Sequence, residues 1–119
     1  MMTDTLHISR GDVFIASLDP VMGSETGKTR PVLIIQNDIG NMYSPTTIVA
    51  VITDYSEKKA SYPVCVVIEK DQGVRKTSII NLSQMRTIDK RRLTGPKITT
   101  LSGDVMKKVD QALKNSLAL

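Results

Sequence analysis

The sequence predicts a mainly β (α+β) domain: a small, curved, barrel-like antiparallel sheet with a helix packed on it at the C-terminal end. Three observations predict it. Short β-branched runs fill the first three quarters of the 119 residues, turn residues separate those runs, and the apolar period becomes helical after Ser102. A chain of this length is expected to fold as one domain spanning residues 1–119. Forty per cent of its residues are apolar, enough for one modest core. With only Phe14, three tyrosines and no tryptophan, that core must be aliphatic.

The first strand is expected over Asp12–Leu18 (DVFIASL), the second over Pro31–Asn37 (PVLIIQN) and the third over Thr46–Thr53 (TTIVAVIT). Tyr62–Glu69 and Thr77–Ile88 continue the pattern. Runs such as VLIIQ and IVAVI are almost continuously apolar, so these strands are expected to be covered on both faces. The connections carry turn chemistry: Asp19-Pro20, Asn37-Asp38 with Gly40-Asn41, Ser44-Pro45 and Asp71-Gln72-Gly73. A short helical turn fits Asp89–Leu93. In the last segment Val105, Met106, Val109, Ala112, Leu113 and Leu117 share one helical face. Ser102 suits its N-cap, and Asp104 in the first turn complements the helix dipole.

Composition narrows the function. A formal charge of +4 and an isoelectric point near 9.3 favour an anionic partner. Cys65 is alone, which excludes an intrachain disulfide and a cysteine cluster; its apolar setting predicts a buried, inert thiol. No apolar run is long enough to span a bilayer, and MMTDTLHISRGD lacks the apolar centre of a signal peptide, so no membrane association and a cytoplasmic location are expected.

The segment GSETGKTRPV looks at first like a phosphate-binding loop. The pattern requires glycine at position 22, which is Met22; Gly23 falls one place late. Pro31 stands where the helix should run, and a strand follows. Without a helix N-terminus the converging amides of such a site are lost, and binding of ATP or GTP is not expected. Residues 18–30 are nonetheless long for a strand connection, which usually takes ~2–5 residues. Over residues 20–30, two glycines, Lys28 and Arg30 against the single acid Glu25 read as a mobile, basic flap over an anionic substrate, or as an ordinary solvated loop.

The usual hydrolase groups are missing. His7 is the only histidine, no carboxylate pair is apparent, and no metal site or cofactor is expected. Arginine and hydroxyl chemistry is left. Arg30 precedes a proline at the head of a strand, so its backbone is held extended. Thr53 ends the TTIVAVIT strand at the same kind of margin. A guanidinium fork fits phosphate and can stabilise charge on a phosphorane-like transition state. Tyr43 either stacks on a base, worth ~1–3 kcal/mol, or is structural.

The chained blocks RGDV, GSE…RPVLIIQND, SPT and RTIDK.RL, with VDQALKNSLAL at the end, resemble the MazF/PemK-type toxins of bacterial toxin–antitoxin modules over roughly residues 10–119. The resemblance implies a compact barrel of the SH3-like/PemK type, with about five to seven strands, and a homodimer. It implies metal-independent, sequence-specific cleavage of single-stranded RNA, mRNA in the cell. The ribose 2′-hydroxyl attacks the adjacent phosphate and leaves 2′,3′-cyclic phosphate and 5′-hydroxyl ends. It implies catalytic roles for Arg30 and Thr53, RNA contacts by Gly23, Ser24 and Glu25, and a place near the substrate groove for Gln84 and Arg86. An acidic, partly disordered antitoxin is the implied partner. Because arginine holds its proton at neutral pH, Arg30 is read as clamp and stabiliser rather than as general base. The competing expectation is a non-catalytic module of the same barrel that binds RNA or DNA gyrase; it does not need both Arg30 and Thr53.

Overall fold

Alternation along the strands gives the sheet two apolar faces, and the fold is organised by how each is covered. The computed structural model describes residues 7–119. Met1–Leu6, part of the stretch read for a leader, lie outside them. Six strands form one antiparallel sheet in the order β4-β5-β3-β2-β1-β6. They are β1 (Asp12–Ser17), β2 (Thr29–Ile34), β3 (Thr46–Asp54), β4 (Cys65–Ile68), β5 (Ser78–Asp89) and β6 (Leu93–Thr100). Short helices α1 (Asp38–Tyr43) and α2 (Glu57–Ala60) flank β3, and α3 (Gly103–Leu117) ends the chain.

One face carries Val13, Leu33, Ala50, Ile52, Val66, Ile68, Ile80 and Leu82, and packs against Val109 and Ala112 of α3. The other carries Phe14, Ala16, Leu18, Val32, Ile34, Val49, Val51, Ile88 and Leu93. The near-continuous apolar runs therefore do serve two buried faces, and the core is aliphatic around the single Phe14. Each fully buried Leu or Ile side chain contributes about 1.5–3 kcal/mol.

The strand count falls within the expected five to seven, but among the described residues the hydrogen-bonded ladder does not close: β4 and β6 are its edges. Register shifts between Val13 and Ile15 opposite β6, and between Ala50 and Val51 opposite β5, bend the sheet without joining its ends. Among the described residues α3 contributes the cover over β4 and β5 that a further ladder would give.

The helix starts as its sequence requires: Ser102 Oγ accepts from the Val105 N–H at 3.3 Å, with Asp104 in the first turn. Of the apolar stripe only Leu117 is largely exposed. The turn over Lys90–Arg92 is a single 3₁₀ turn, capped by Asp89. Strand β6 is an element the sequence reading lacked. Its residues Thr94-Gly95-Pro96-Lys97 are poor strand formers, tolerated because it is an edge strand with only Leu93 buried. Helix α1 was read as a turn; Asn37 caps it by accepting from the Gly40 N–H at 2.8 Å. Cys65 is half-buried, and burial pushes its thiol pKa up, away from reactivity. No helix among the described residues is long and apolar enough to cross a membrane.

Candidate active site

The register between β2 and β3 sets Val32 opposite Val51, Leu33 opposite Ala50 and Ile34 opposite Val49. Continued two residues toward the strand ends, it sets Arg30 opposite Thr53. Both lie on the sheet face of Val32, Ile34, Val49 and Val51, because side chains repeat every second residue. A guanidinium and a hydroxyl thus share one margin of one face.

Neither group is used up by the fold. The Thr53 hydroxyl oxygen is buried and, among the described residues, has no hydrogen-bond partner. Such a group costs about 1–3 kcal/mol and calls for a reason. Arg30 is half-buried and forms no ion pair among the described residues; its Nε donates to the Gly27 carbonyl at a long 3.4 Å. Asp54, next to Thr53 in sequence, is engaged by Lys76 at 2.9 Å. The hydrogen bond and charge of Lys76 lower the Asp54 pKa, against a small desolvation effect, and the charge of Arg30 adds to the lowering.

The connection between β1 and β2, residues 18–28, folds over this same face. Its neck is bound rather than loose. The Leu18 N–H donates to the Lys28 carbonyl at 2.8 Å, and Asp19 Oδ1 accepts from the Lys28 N–H at 2.8 Å. The Gly-Lys-Thr segment thus closes a hairpin neck. A Cβ on Gly27 would lie 2.5 Å from Asp19 Oδ1, and Lys28 holds a left-handed φ of 65°. Two strand-β5 residues reach the loop from below. Arg86 Nη1 donates to the Leu18 carbonyl, and Gln84 Oε1 accepts from the Thr26 N–H at 3.4 Å.

Arg30, Thr53 and Arg86 therefore share the face beneath the loop, with Arg86 opposite Val49, about 13 Å along β3 from Thr53, and with Gln84 touching the loop itself. Gly23, Ser24, Glu25 and Lys28 are exposed on the loop itself, with Glu25 Oε1 accepting from the Met22 N–H at 2.8 Å. The connection that the sequence leaves open between a mobile, basic flap and an ordinary solvated loop has an exposed, lightly held tip and a hydrogen-bonded neck. Tyr43 is not brought to this place. It is 79% exposed on α1, beside the far end of β3. Over the seven residues from Thr46 to Thr53 a strand covers about 23 Å. Sequence reasoning missed Asp19, Gly27 and Arg92 as loop-neck residues; the non-fitting Gly-Lys-Thr was the available signal.

Cavities of about 260, 310 and 200 Å³ occur elsewhere on the molecule, and none includes Arg30 or Thr53. The candidate site is none of these cavities: it is a half-buried margin of the sheet beneath the loop. Among the described residues no three His, Cys, Asp or Glu side chains gather as a metal-binding group.

Residues 9–117 match the model of the PemK-like, MazF-like toxin of type II toxin–antitoxin system. The chain belongs to the PemK/MazF-like toxin family. It is 57% identical over 113 residues to Endoribonuclease EndoA of Bacillus subtilis (strain 168), covering 94% of this chain and 96% of that protein. Solved structures share the fold at lower identity. One is an endoribonuclease in complex with its cognate antitoxin from a mycobacterial species, with TM-score 0.78 and 21% identity over 94% of this chain and 96% of that one. MazF of Deinococcus radiodurans matches with TM-score 0.78 and 21% identity over 98% and 100% of the two chains. The six-stranded sheet with its C-terminal helix is thus the fold of MazF-like toxins, and the architecture implied by the sequence resemblance holds.

Proposed function

We propose that this chain is a MazF-like endoribonuclease toxin that cuts single-stranded RNA at specific sequences without a metal ion and is neutralised by a cognate antitoxin in the cytoplasm. The observation that carries the reading is the Thr53 hydroxyl, buried without a partner and set across from Arg30. An orphan hydroxyl beside an uncommitted guanidinium is complementary to a phosphate: the hydroxyl meets one oxygen and the guanidinium fork takes two.

The chemistry these groups serve is internal transesterification. The 2′-oxygen bonds to the neighbouring phosphorus, the P–O5′ bond breaks, and the proton lost by the 2′-hydroxyl is balanced by one gained at the departing 5′-oxygen. The products are a 2′,3′-cyclic phosphate and a 5′-hydroxyl. No external nucleophile is required, so holding the phosphodiester in line provides much of the acceleration. Arg30 stabilises the negative charge that grows on the phosphate oxygens. Thr53 anchors one of those oxygens and fixes the angle of approach. Gln84, Arg86 and the exposed loop residues Gly23, Ser24, Glu25 and Lys28 border the path of the strand, where contacts to unpaired bases select the sequence.

Two partners accompany this reading. A positive balance of +4 suits an acidic, partly disordered antitoxin segment. Ile39, Met42 and Tyr43 stand exposed at i, i+3 and i+4 on α1, an apolar stripe that suits a second copy of the chain better than a base-stacking platform. A dimer gives twice 13.1 kDa in sedimentation at micromolar concentration, and a purely monomeric species contradicts it.

The activity is tested by incubating purified protein with a long unstructured RNA in EDTA. Discrete fragments with 5′-hydroxyl ends are expected, reduced about 10²- to 10³-fold by Arg30→Ala. Intact RNA that is nevertheless bound would instead mean a non-catalytic binding module.

A further inference from the structure

We propose that Asp19 and Arg92 brace the neck of the β1–β2 loop and thereby position the Arg30 guanidinium, which makes both of them positioning residues for RNA cleavage; the proposal rests on the role given to Arg30 above. Arg92 lies in the single turn between β5 and β6, distant in sequence from the site. Its Nη1 donates to the Ser17 carbonyl at 3.1 Å and to the Asp19 carbonyl at 2.6 Å. Arg86 takes the carbonyl between them, that of Leu18. Three successive carbonyls at the start of the loop are therefore held by two guanidinium groups.

The returning side of the neck is fixed by the Asp19 side chain. Its Oδ1 accepts from the Lys28 N–H, and it does so against the bare α-carbon of Gly27, which leaves no room for a Cβ. The bond also holds Lys28 in its left-handed conformation, which is unfavourable for a lysine. From there the connection to the site is direct. The Gly27 carbonyl accepts from Arg30 Nε, and Ala16, just before the neck, pairs with Arg30 in the β1–β2 ladder. The brace thus runs from Arg92 through Ser17 and Asp19 to Lys28, Gly27 and Arg30.

The strength of these contacts is uneven in an informative way. Charged donors or acceptors hold the neck, and such hydrogen bonds are about twice as strong as neutral ones. Among the described residues, the tip's hydrogen bond to the sheet is the neutral Thr26–Gln84 contact at 3.4 Å, near the limit of a hydrogen bond. A substrate strand can lift the tip while the neck, and with it Arg30, keeps its place. Arg92 and Asp19 do not face the Thr53 margin themselves, so their effect on the reaction passes through Arg30.

The test uses Asp19→Ala, Asp19→Asn, Arg92→Gln and Arg92→Lys in the full chain. Single-turnover cleavage of a long single-stranded RNA is expected to fall about 10- to 100-fold in Asp19→Ala and Arg92→Gln, the scale of a small misplacement of a catalytic group. Affinity for a 2′-deoxy, uncleavable copy of that RNA should change less than about threefold, placing the loss in the chemical step. Asp19→Asn should recover most of the rate, because its amide oxygen still accepts from Lys28; Arg92→Lys should recover part of it, because one nitrogen, Nη1, serves both carbonyls and an ammonium has donors for two on a shorter stem. Amide hydrogen exchange gives a readout independent of activity. The Leu18 and Lys28 amides should exchange faster in Asp19→Ala and Arg92→Gln, with β3 and β5 unchanged. Wild-type cleavage rates in both variants overturn the proposal, and so does general loosening of β3 and β5 that accounts for the lost activity. If the unaltered protein cuts no RNA, the endoribonuclease reading fails separately, and unchanged Leu18 and Lys28 exchange then overturns the brace itself.

Discussion

Strand β3 carries two threonines on one face, six residues apart, with opposite fates. Thr47 is fully buried, and its hydroxyl donates to Asn41 Oδ1 at 2.8 Å. Asn41 is itself bound on every side: Gln36 Nε2 donates to its Oδ1 at 3.1 Å, and its Nδ2 donates to the Gln36 carbonyl at 3.0 Å. Lys90 reaches the Asn41 carbonyl as well. At the other end of the strand the Thr53 hydroxyl is equally shut away from solvent and bonds to nothing. Residue type, strand and face are the same, so the difference lies in what the surroundings supply. At the Thr47 end, α1 closes a polar network that locks the sheet to its helix. At the Thr53 end, the loop and Arg30 leave an unmet hydroxyl, as a site awaiting a substrate oxygen requires.

The largest effect that sharpens this contrast is Thr53→Val. Cleavage should drop by at least about 10²-fold, the usual cost of removing one preorganised contact to a reacting oxygen. Affinity for uncleavable RNA should change much less, and the melting temperature should hold or rise, because an unpaired buried hydroxyl is replaced by a methyl of the same shape. Thr47→Val should do the reverse. It leaves Asn41 Oδ1 with one donor fewer, so it should cost about 1–3 kcal/mol in denaturant unfolding while cleavage per folded molecule stays unchanged. The comparison breaks if both variants lose stability alike, or if Thr47→Val loses the reaction in the folded state.

Much of this was legible in the chain, and the reasons can be named. Strand existence followed from runs such as IVAVI, whose apolar continuity reports burial on both faces, and α3 followed from its stripe and from Ser102. The pairing of Arg30 with Thr53 became specific only through the family resemblance, because register is a property of two strands and neither strand alone encodes it. β6 was hidden because an edge strand is held by its neighbour's backbone, and so tolerates Thr-Gly-Pro-Lys. The neck brace was hidden for a related reason. Arg92 acts on main-chain carbonyls, which look the same in every residue, so nothing at Ser17 or Asp19 announces its partner. Tyr43 shows the converse case: the chain left it open between a base platform and a structural role, and its position on α1 beside Ile39 and Met42 is set by tertiary structure.

The smallest effect concerns the charges that frame the Thr53 end. Asp54 follows Thr53 directly, and its carboxylate is held by Lys76. That bond lowers the folded-state pKa of Asp54 below the ordinary carboxylate value of about 3.9. A group depressed by folding adds stability that is fully present above its unfolded pKa and disappears as pH falls through the folded value. Lys76→Met should therefore be slightly less stable than the parent at neutral pH, and the gap should close below about pH 4 as the carboxyl protonates in both. Because the pair is open to solvent, about 1 M salt should shrink the neutral-pH gap too. The bond that Thr47→Val removes joins a hydroxyl to a neutral amide oxygen, neither of which titrates, so its deficit should persist at both low pH and high salt. Denaturant midpoints of the two variants across pH 2–7, with and without salt, separate the solvated, charge-framed end of β3 from the dry, hydrogen-bonded one. A Lys76→Met gap that survives at pH 2 would mean that packing of the lysine stem, rather than its charge, supports this margin of the site.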